Sequence, residues 1–281
     1  MNKILDIADV VELRTWANDK PYSVSALKEE LEASLSGDDA GDAEDYALKV
    51  FEELERRATL LGKSYPFTVD GITLSPNEQK HNSSYLFCLG LKFMKDIPDN
   101  LRTREFEAIV KSAAEDYFRG KAVRIGAPWK TGEITDYRQL LQLVSDLIPD
   151  LGEPMRETAP DGGDGGWDVV VVNNFADQQF SRIIALGNCA TGKTDWLKKG
   201  QETSPALFWS FFSRSPTERN VCLTFLAVPF LMTEGDKLRK LYHGSISFDR
   251  IRLCERVPST TDAVMQWLDD HKTEALGVSL I

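Results

Sequence analysis

Residues able to carry chemistry are sparse in this chain. Histidine occurs only three times in 281 residues, as His81, His243 and His271. Such scatter does not suggest a zinc site or a Ser-His-Asp triad. The four cysteines, Cys88, Cys189, Cys222 and Cys254, form no C-x-x-C pair and sit mostly in apolar runs. That argues against a disulfide framework and suits reduced thiols in a cytosolic compartment. Cys189 reads as structural rather than nucleophilic, because its neighbours in the strand pattern are core residues. No apolar run approaches the roughly 18 residues of a membrane span. The start, MNKILDIADVVEL, has acids inside its apolar part, so a secretory signal is not expected. Basic residues are also in deficit. Lys and Arg number 33 against 44 Asp and Glu, a net charge of −11, which is unusual for a protein that must hold DNA by itself. Internal repeats and low-complexity segments are absent.

What is present is enough for a core: 42% of residues are hydrophobic, and the length suits one large domain or two smaller ones. Charge is unevenly spread. Residues 1–62 carry −8 and the remainder −3, and within that remainder Arg119 to Lys130 is +4 with no acid and Arg182 to Lys199 is +3. Each basic stretch is either solvated surface or a local patch that faces phosphate.

Residues 1–95 are expected to form a mostly helical support or interaction domain. Val10, Leu13, Trp16 and Ala17 make one helical stripe, Ser25 opens a second helix, and Tyr46 to Leu61 forms a third, with Leu48, Phe51, Leu54, Leu60 and Leu61 apolar and Gly62 as C-cap. Tyr65 to Leu74 alternates around Asp70-Gly71, a hairpin signal. Ser84 to Met94 is apolar nearly all round and reads as a buried helix. A break at Lys95 to Arg102 opens a second domain, 96–281. There Arg104 to Gly120 is an amphipathic helix, Lys121 to Ile125 a strand, Asp136 to Ile148 a helix, Val221 to Val228 a strand, Gly244 to Leu253 an edge strand, and a last helix follows Ser259.

The richest stretch runs from Gly162 to Trp196, GGDGGWDVVVVNNFADQQFSRIIALGNCATGKTDW. Trp167 to Val172 and Arg182 to Leu186, joined by turn formers, predict an antiparallel hairpin whose first strand lies deep in a sheet. Asp168 lies within that buried run. A carboxylate there is costly unless bonded to the nearby Gly-rich backbone or to a metal; the metal is the preferred reading. Gly187 to Thr194 also fits G-x-x-x-x-G-K-[ST], the phosphate loop of an NTPase. The polar segment after it stops at Gly200, which does not suit the helix such a loop must open.

The element order α-β-(α)-β-β-α-β, together with the segments FE, GGDGGWDVVVV and ALGNCATGKTDW, resembles the PD-(D/E)xK restriction-endonuclease-like superfamily, in particular an uncharacterised bacterial branch whose third motif reads G-Q-C-x-x-G. SYPF, SSYLFCLGL and FDRIRL extend the resemblance more weakly. It implies an α/β (α+β) fold, a mixed sheet flanked by helices behind the mostly helical N-terminal domain. It implies a metal-dependent DNA endonuclease, in a bacterial anti-phage defence system, with Mg2+ or Mn2+ held by Glu107, Asp168 and Asn188. Asn188 stands where the family has Glu or Gln, and Ala190 where it has Lys. Alternate strand residues share a face, so 188 and 190 are expected to face where Asp168 faces. Lys193 would then supply the missing cation from the loop. DNA is the expected partner through the local basic stretches, with a protein partner to deliver it, no membrane, a cytoplasmic location and an oligomer as an option. The departures at 188 and 190 leave a second reading open, a catalytically inactive interaction subunit on a nuclease-like scaffold, and a third, the NTPase.

Overall fold

The computed structural model describes residues 3–34, 42–77, 82–94, 97–99, 101–127, 134, 136–157, 166–192, 196, 199, 204–216, 219–242 and 245–280. The architecture is mixed α/β: a mostly helical N-terminal stretch is followed by sheets flanked by helices. The chain divides into two compact units, residues 1–96 with 258–281, and residues 97–257. The last two helices, which follow the second domain in sequence, therefore belong with the N-terminal unit.

The N-terminal unit holds α1 (Lys3–Asn18), β1 (Tyr22–Ser23), α2 (Val24–Ser34), α3 (Ala43–Leu61), β2 (Phe67–Val69), β3 (Thr73–Pro76) and α4 (Ser83–Phe93). The expected turn at Asp70-Gly71 joins β2 to β3, and Gly71 takes the left-handed φ of 60° such a turn requires. α4 is buried from Ser83 to Leu91, as its all-round apolar sequence demands. Local expectations shift in three places. Ser23, not Ser25, caps α2, its Oγ accepting the Ala26 N–H at 3.1 Å. Leu48 and Leu60 are exposed, because the stripe of α3 that faces inward is Ala47, Val50, Phe51, Leu54 and Leu61. The helix expected behind Ser259 has Thr261 at its cap position.

At the centre of this unit, between α1, α3 and α4, lies a charged network in place of aliphatic packing. Arg57, fully buried, donates to Asp9 at 2.7 Å, Glu12 at 2.8 Å and Glu53 at 2.9 Å. Glu12 also accepts from the hydroxyls of Tyr65 at 2.5 Å and Tyr85 at 2.8 Å, and Lys92 bonds Asp9 and Asp6. Burial pulls the Arg57 guanidinium towards losing its proton, but Glu12 and Asp9 more than offset this and hold it charged.

The second unit runs α5 (Phe106–Phe118), β4 (Lys121–Arg124), α6 (Tyr137–Leu147), β5 (Val169–Asn173), β6 (Ile183–Cys189), α7 (Pro205–Trp209), β7 (Val221–Ala227), α8 (Glu234–Tyr242), β8 (Ser245–Phe248) and α9 (Arg250–Cys254). The strands form one sheet in the order β4-β5-β6-β7-β8, antiparallel across β4, β5 and β6 and parallel across β6, β7 and β8. The expected hairpin is β5–β6, in register Val169 opposite Gly187. FDRIRL splits into the end of β8 and α9, because Asp249 turns the chain: its Oδ1 caps α9 through the Arg252 N–H at 3.2 Å, and its Oδ2 pairs with Lys237 at 2.6 Å.

Both faces of β5 are buried, which is why it reads VVVV. On one face Val170, Val172, Ile184 and Leu186 pack with Leu140, Leu141 and Val144 of α6 and with Phe208, Trp209, Phe211 and Phe212 around α7. On the other face lies α5, packed against β4, β5 and β6. Gly187 serves this face: a Cβ there would lie 2.0 Å from the Phe225 ring. With no side chain at Gly187 in the way, Phe225 reaches Phe118 of α5, with ring centroids 5.8 Å apart.

Candidate functional site

The site is built at the end of the sheet where β4 stops, β5 begins and β6 ends. Glu107 comes from the first turn of α5 and is 4% exposed. Arg124 is the last residue of β4, and its Nη1 donates to Glu107 Oε2 at 2.6 Å and to the Gly126 carbonyl at 2.8 Å. Gly126 is the hinge of the arrangement. A Cβ on it would lie 2.6 Å from both Glu107 oxygens, so the missing side chain is the space in which the carboxylate sits. Its own N–H donates to the Asp168 carbonyl at 3.1 Å, beside the Ile125 N–H at 2.7 Å. The Glu107 carboxylate and the Asp168 backbone thus meet on opposite sides of one glycine.

Asp168 lies one residue before β5 and is 7% exposed. Its backbone N–H bonds the Gly187 carbonyl at 2.8 Å, and its Oδ2 accepts the Cys189 N–H at 2.5 Å. The carboxylate is therefore fastened to the end of β6. Asn188 donates from its amide nitrogen to the Gly166 carbonyl, two residues before Asp168.

The Cys189 thiol registers the electrostatics of the whole site. Burial pushes it well above the ordinary thiol range, and Asp168 and then Glu107 push it further, while Lys199 and Arg124 oppose them. Both carboxylates and two cations therefore act on one point. The raised value keeps Cys189 a neutral thiol, which is not a nucleophile at neutral pH and agrees with a structural role.

Three expectations change. The side chain that shares the acids' surroundings is Cys189, whereas Ala190 packs in an apolar cluster with Trp196, Leu226, Val228 and Met232. The alternation argument fails because Asp168 precedes the β5 ladder and turns to take a backbone N–H of β6, so strand parity does not reach it. The first residues of the phosphate-loop pattern lie in a strand, and Lys193 and Thr194 lie outside the described residues. Gly187 is paired with both β5 and β7, Asn188 and Cys189 are paired with β7, and the Ala190 N–H bonds the Ala227 carbonyl at 3.0 Å. Those N–H groups are not arranged to cradle phosphate. Finally, Arg182 is 1% exposed at the opposite end of β6 and pairs with Asp150 at 2.6 Å, so the second basic stretch does not gather wholly at this site.

Lys193, Trp129 and the glycines Gly162, Gly163 and Gly165 lie outside the described residues. Sequence reasoning passed over Arg124 and Lys199. The signal for Arg124 was available: it ends an alternating strand just before an Ile-Gly break, where a side chain reaches the sheet's end. Among the described residues no group of three His, Cys, Asp or Glu side chains is gathered as a metal cage. The donors fit a hard divalent ion in kind, since magnesium needs only one or two carboxylates when substrate phosphate completes its shell. Among the described residues no helix is long and apolar enough to cross a membrane. Comparison with family models, with curated proteins and with solved structures found no match.

Proposed function

We propose that this chain is a metal-dependent DNA endonuclease of the PD-(D/E)xK type, with Glu107 and Asp168 as the carboxylates that hold Mg2+ or Mn2+. The observation that carries the reading is that an α5 carboxylate and the carboxylate just before β5 both act on the Cys189 thiol, at the Gly126–Cys189 end of the sheet. When bound, the ion would polarise a phosphodiester and activate water. The chain's own residues do the rest. Arg124 orients Glu107 and offsets its charge, Gly126 leaves the carboxylate room, and the Cys189 N–H fixes one oxygen of Asp168. With Arg124 and Lys199 balancing Glu107 and Asp168, an added divalent ion leaves the site positive and receptive to phosphate. Asn188, through Gly166, positions the segment that precedes Asp168; as a ligand it would add an oxygen without charge. The acidic chain works with a partner that delivers the DNA, in the cytoplasm of a bacterial cell and within an anti-phage defence system.

The test is cleavage of plasmid DNA by the purified chain in Mg2+ or Mn2+. Asp168→Ala and Glu107→Gln should each abolish it. Cleavage that persists in both variants would remove the assignment.

One observation favours a second reading, a non-catalytic interaction subunit on the same scaffold: both carboxylates already bond protein groups, Glu107 with Arg124 and Asp168 with Cys189. That reading expects Mn2+ titration of the full chain to show no saturable binding that depends on Asp168, and Asp168→Asn to leave its activity in cells intact.

A further inference from the structure

At the other end of the seven-residue β6, six steps and hence about 20 Å away at about 3.3 Å per residue, lies a polar cavity that the proposed nuclease centre does not use. It has a volume of about 350 Å³ and is lined by Asp150, Arg214, Ser215, Pro216 and Arg219, a size at the lower end of small-ligand pockets. Three chain segments are stapled together around it. The Arg214 N–H bonds the Leu151 carbonyl at 2.9 Å, and the Ser181 N–H bonds the Arg219 carbonyl at 2.8 Å. Asn220 donates to the Pro216 carbonyl at 2.9 Å and to Asp150 at 3.3 Å, and accepts the Arg182 N–H at 3.1 Å.

Among the described residues the charges do not cancel. Asp150 is engaged by the buried Arg182 at 2.6 Å, which leaves Arg214 and Arg219 on the wall with no ion pair to another described residue. The Arg219 guanidinium lies 4.6 Å from the centroid of the Phe180 ring, a stacking that holds its planar fork in place and lowers the cost of ordering it on a ligand.

We infer that this cavity binds the phosphate group of a small molecule. Two guanidinium forks offer more donors than the two oxygens of a carboxylate can use, and they suit the three or four oxygens of a phosphate. In a chain of net charge −11, general attraction does not draw anions to this point, so binding must come from the pocket itself.

The experiment titrates the full chain with inorganic phosphate, glycerol 3-phosphate and acetate by calorimetry. Arg214→Gln and Arg219→Gln should each weaken phosphate binding about tenfold or more, the size expected for losing a hydrogen bond between charged groups. Both positions are exposed, so the variants should keep their circular dichroism and melting temperature. Lys111→Gln, which removes one positive charge outside the pocket, should change binding less than about twofold. Tighter binding of glycerol 3-phosphate assigns the site to a phosphorylated metabolite, and tighter binding of inorganic phosphate assigns it to the free ion; either sustains the inference. Acetate binding as tightly as phosphate, absence of saturation, or an equal loss in Lys111→Gln overturns it.

Discussion

Replacing Arg57 by Met should destabilise the N-terminal unit selectively. The guanidinium has no exposure and bridges Asp9, Glu12 and Glu53 within 2.9 Å, and it also donates to the Leu5 carbonyl at 3.2 Å. Met roughly preserves the volume, so the main loss is electrostatic: Asp9 and Glu12, both fully buried, keep their charges without their main counter-ion. Breaking a buried pair in this way costs about 3–5 kcal/mol. Lys92 still bonds Asp9, and Tyr65 and Tyr85 still bond Glu12, which places the expectation near the lower half of that range. With a urea dependence of about 2 kcal/mol per M, the midpoint of this unit should fall by about 2 M. Hydrogen exchange read by peptide separates the units: amides of α1, α3 and α4 should lose about two decades of protection, while the β5–β6 hairpin keeps its own. Adding Asp9→Asn and Glu12→Gln to Arg57→Met should recover more than half of the loss, because neutral amides need no counter-ion. An Arg57→Met protein within about 1 kcal/mol of wild type would show that these acids are not held apart from water, and the argument would fail.

Three further outcomes are expected. The Tyr65 phenol is pushed well above its ordinary range by burial and by Glu12, so its contribution is complete below about pH 10 and is lost as pH rises above that; Tyr65→Phe should cost about 1.5–3 kcal/mol at pH 8 and flatten the fall in stability between pH 9 and 11, measured by urea denaturation. Cys189, raised by burial and then by Asp168 and Glu107, should resist iodoacetamide at pH 8 in the folded chain and react only in urea, as peptide mass spectrometry would report; fast labelling of the native protein would contradict the assigned surroundings. Gly126→Ala places a methyl 2.6 Å from both Glu107 oxygens, so it should cost about 1–3 kcal/mol and displace the Glu107–Arg124 pair, whereas unchanged stability would mean that the carboxylate does not occupy that cradle.

Much of the element pattern was legible because it follows from local physics. The β-branched run before Asn173 announces a strand buried on both faces, Asp70-Gly71 announces a tight turn, and the stripe Phe106, Ile109, Val110, Ala113 and Ala114 announces the buried face of α5. Reading went astray where a side chain answers to a distant partner. Leu48 is an apolar residue of an amphipathic helix yet is 45% exposed, since helix propensity does not say which flank meets a neighbour. Asp168 was placed on the parity of a strand it precedes, and only the hydrogen bond to Cys189 tells where its carboxylate lies. Arg124 and Lys199 went unnoticed because their relevance comes from Glu107 and Asp168, at least 17 residues away in the chain.

By itself, the order of residues determined the kinds of structure: which segments coil, which extend, which turn, and that an acid stands inside a buried run. Those outcomes rest on backbone sterics and on the spacing of apolar groups over a few residues, quantities that a linear pattern contains. Tertiary structure alone decided that Glu107 enters the space left by Gly126, that Cys189 and not Ala190 shares the field of the two carboxylates, and that Arg182 ends at the far side of the sheet against Asp150. These depend on strand order and register, which bring together groups whose separation along the chain carries no information about their separation in space.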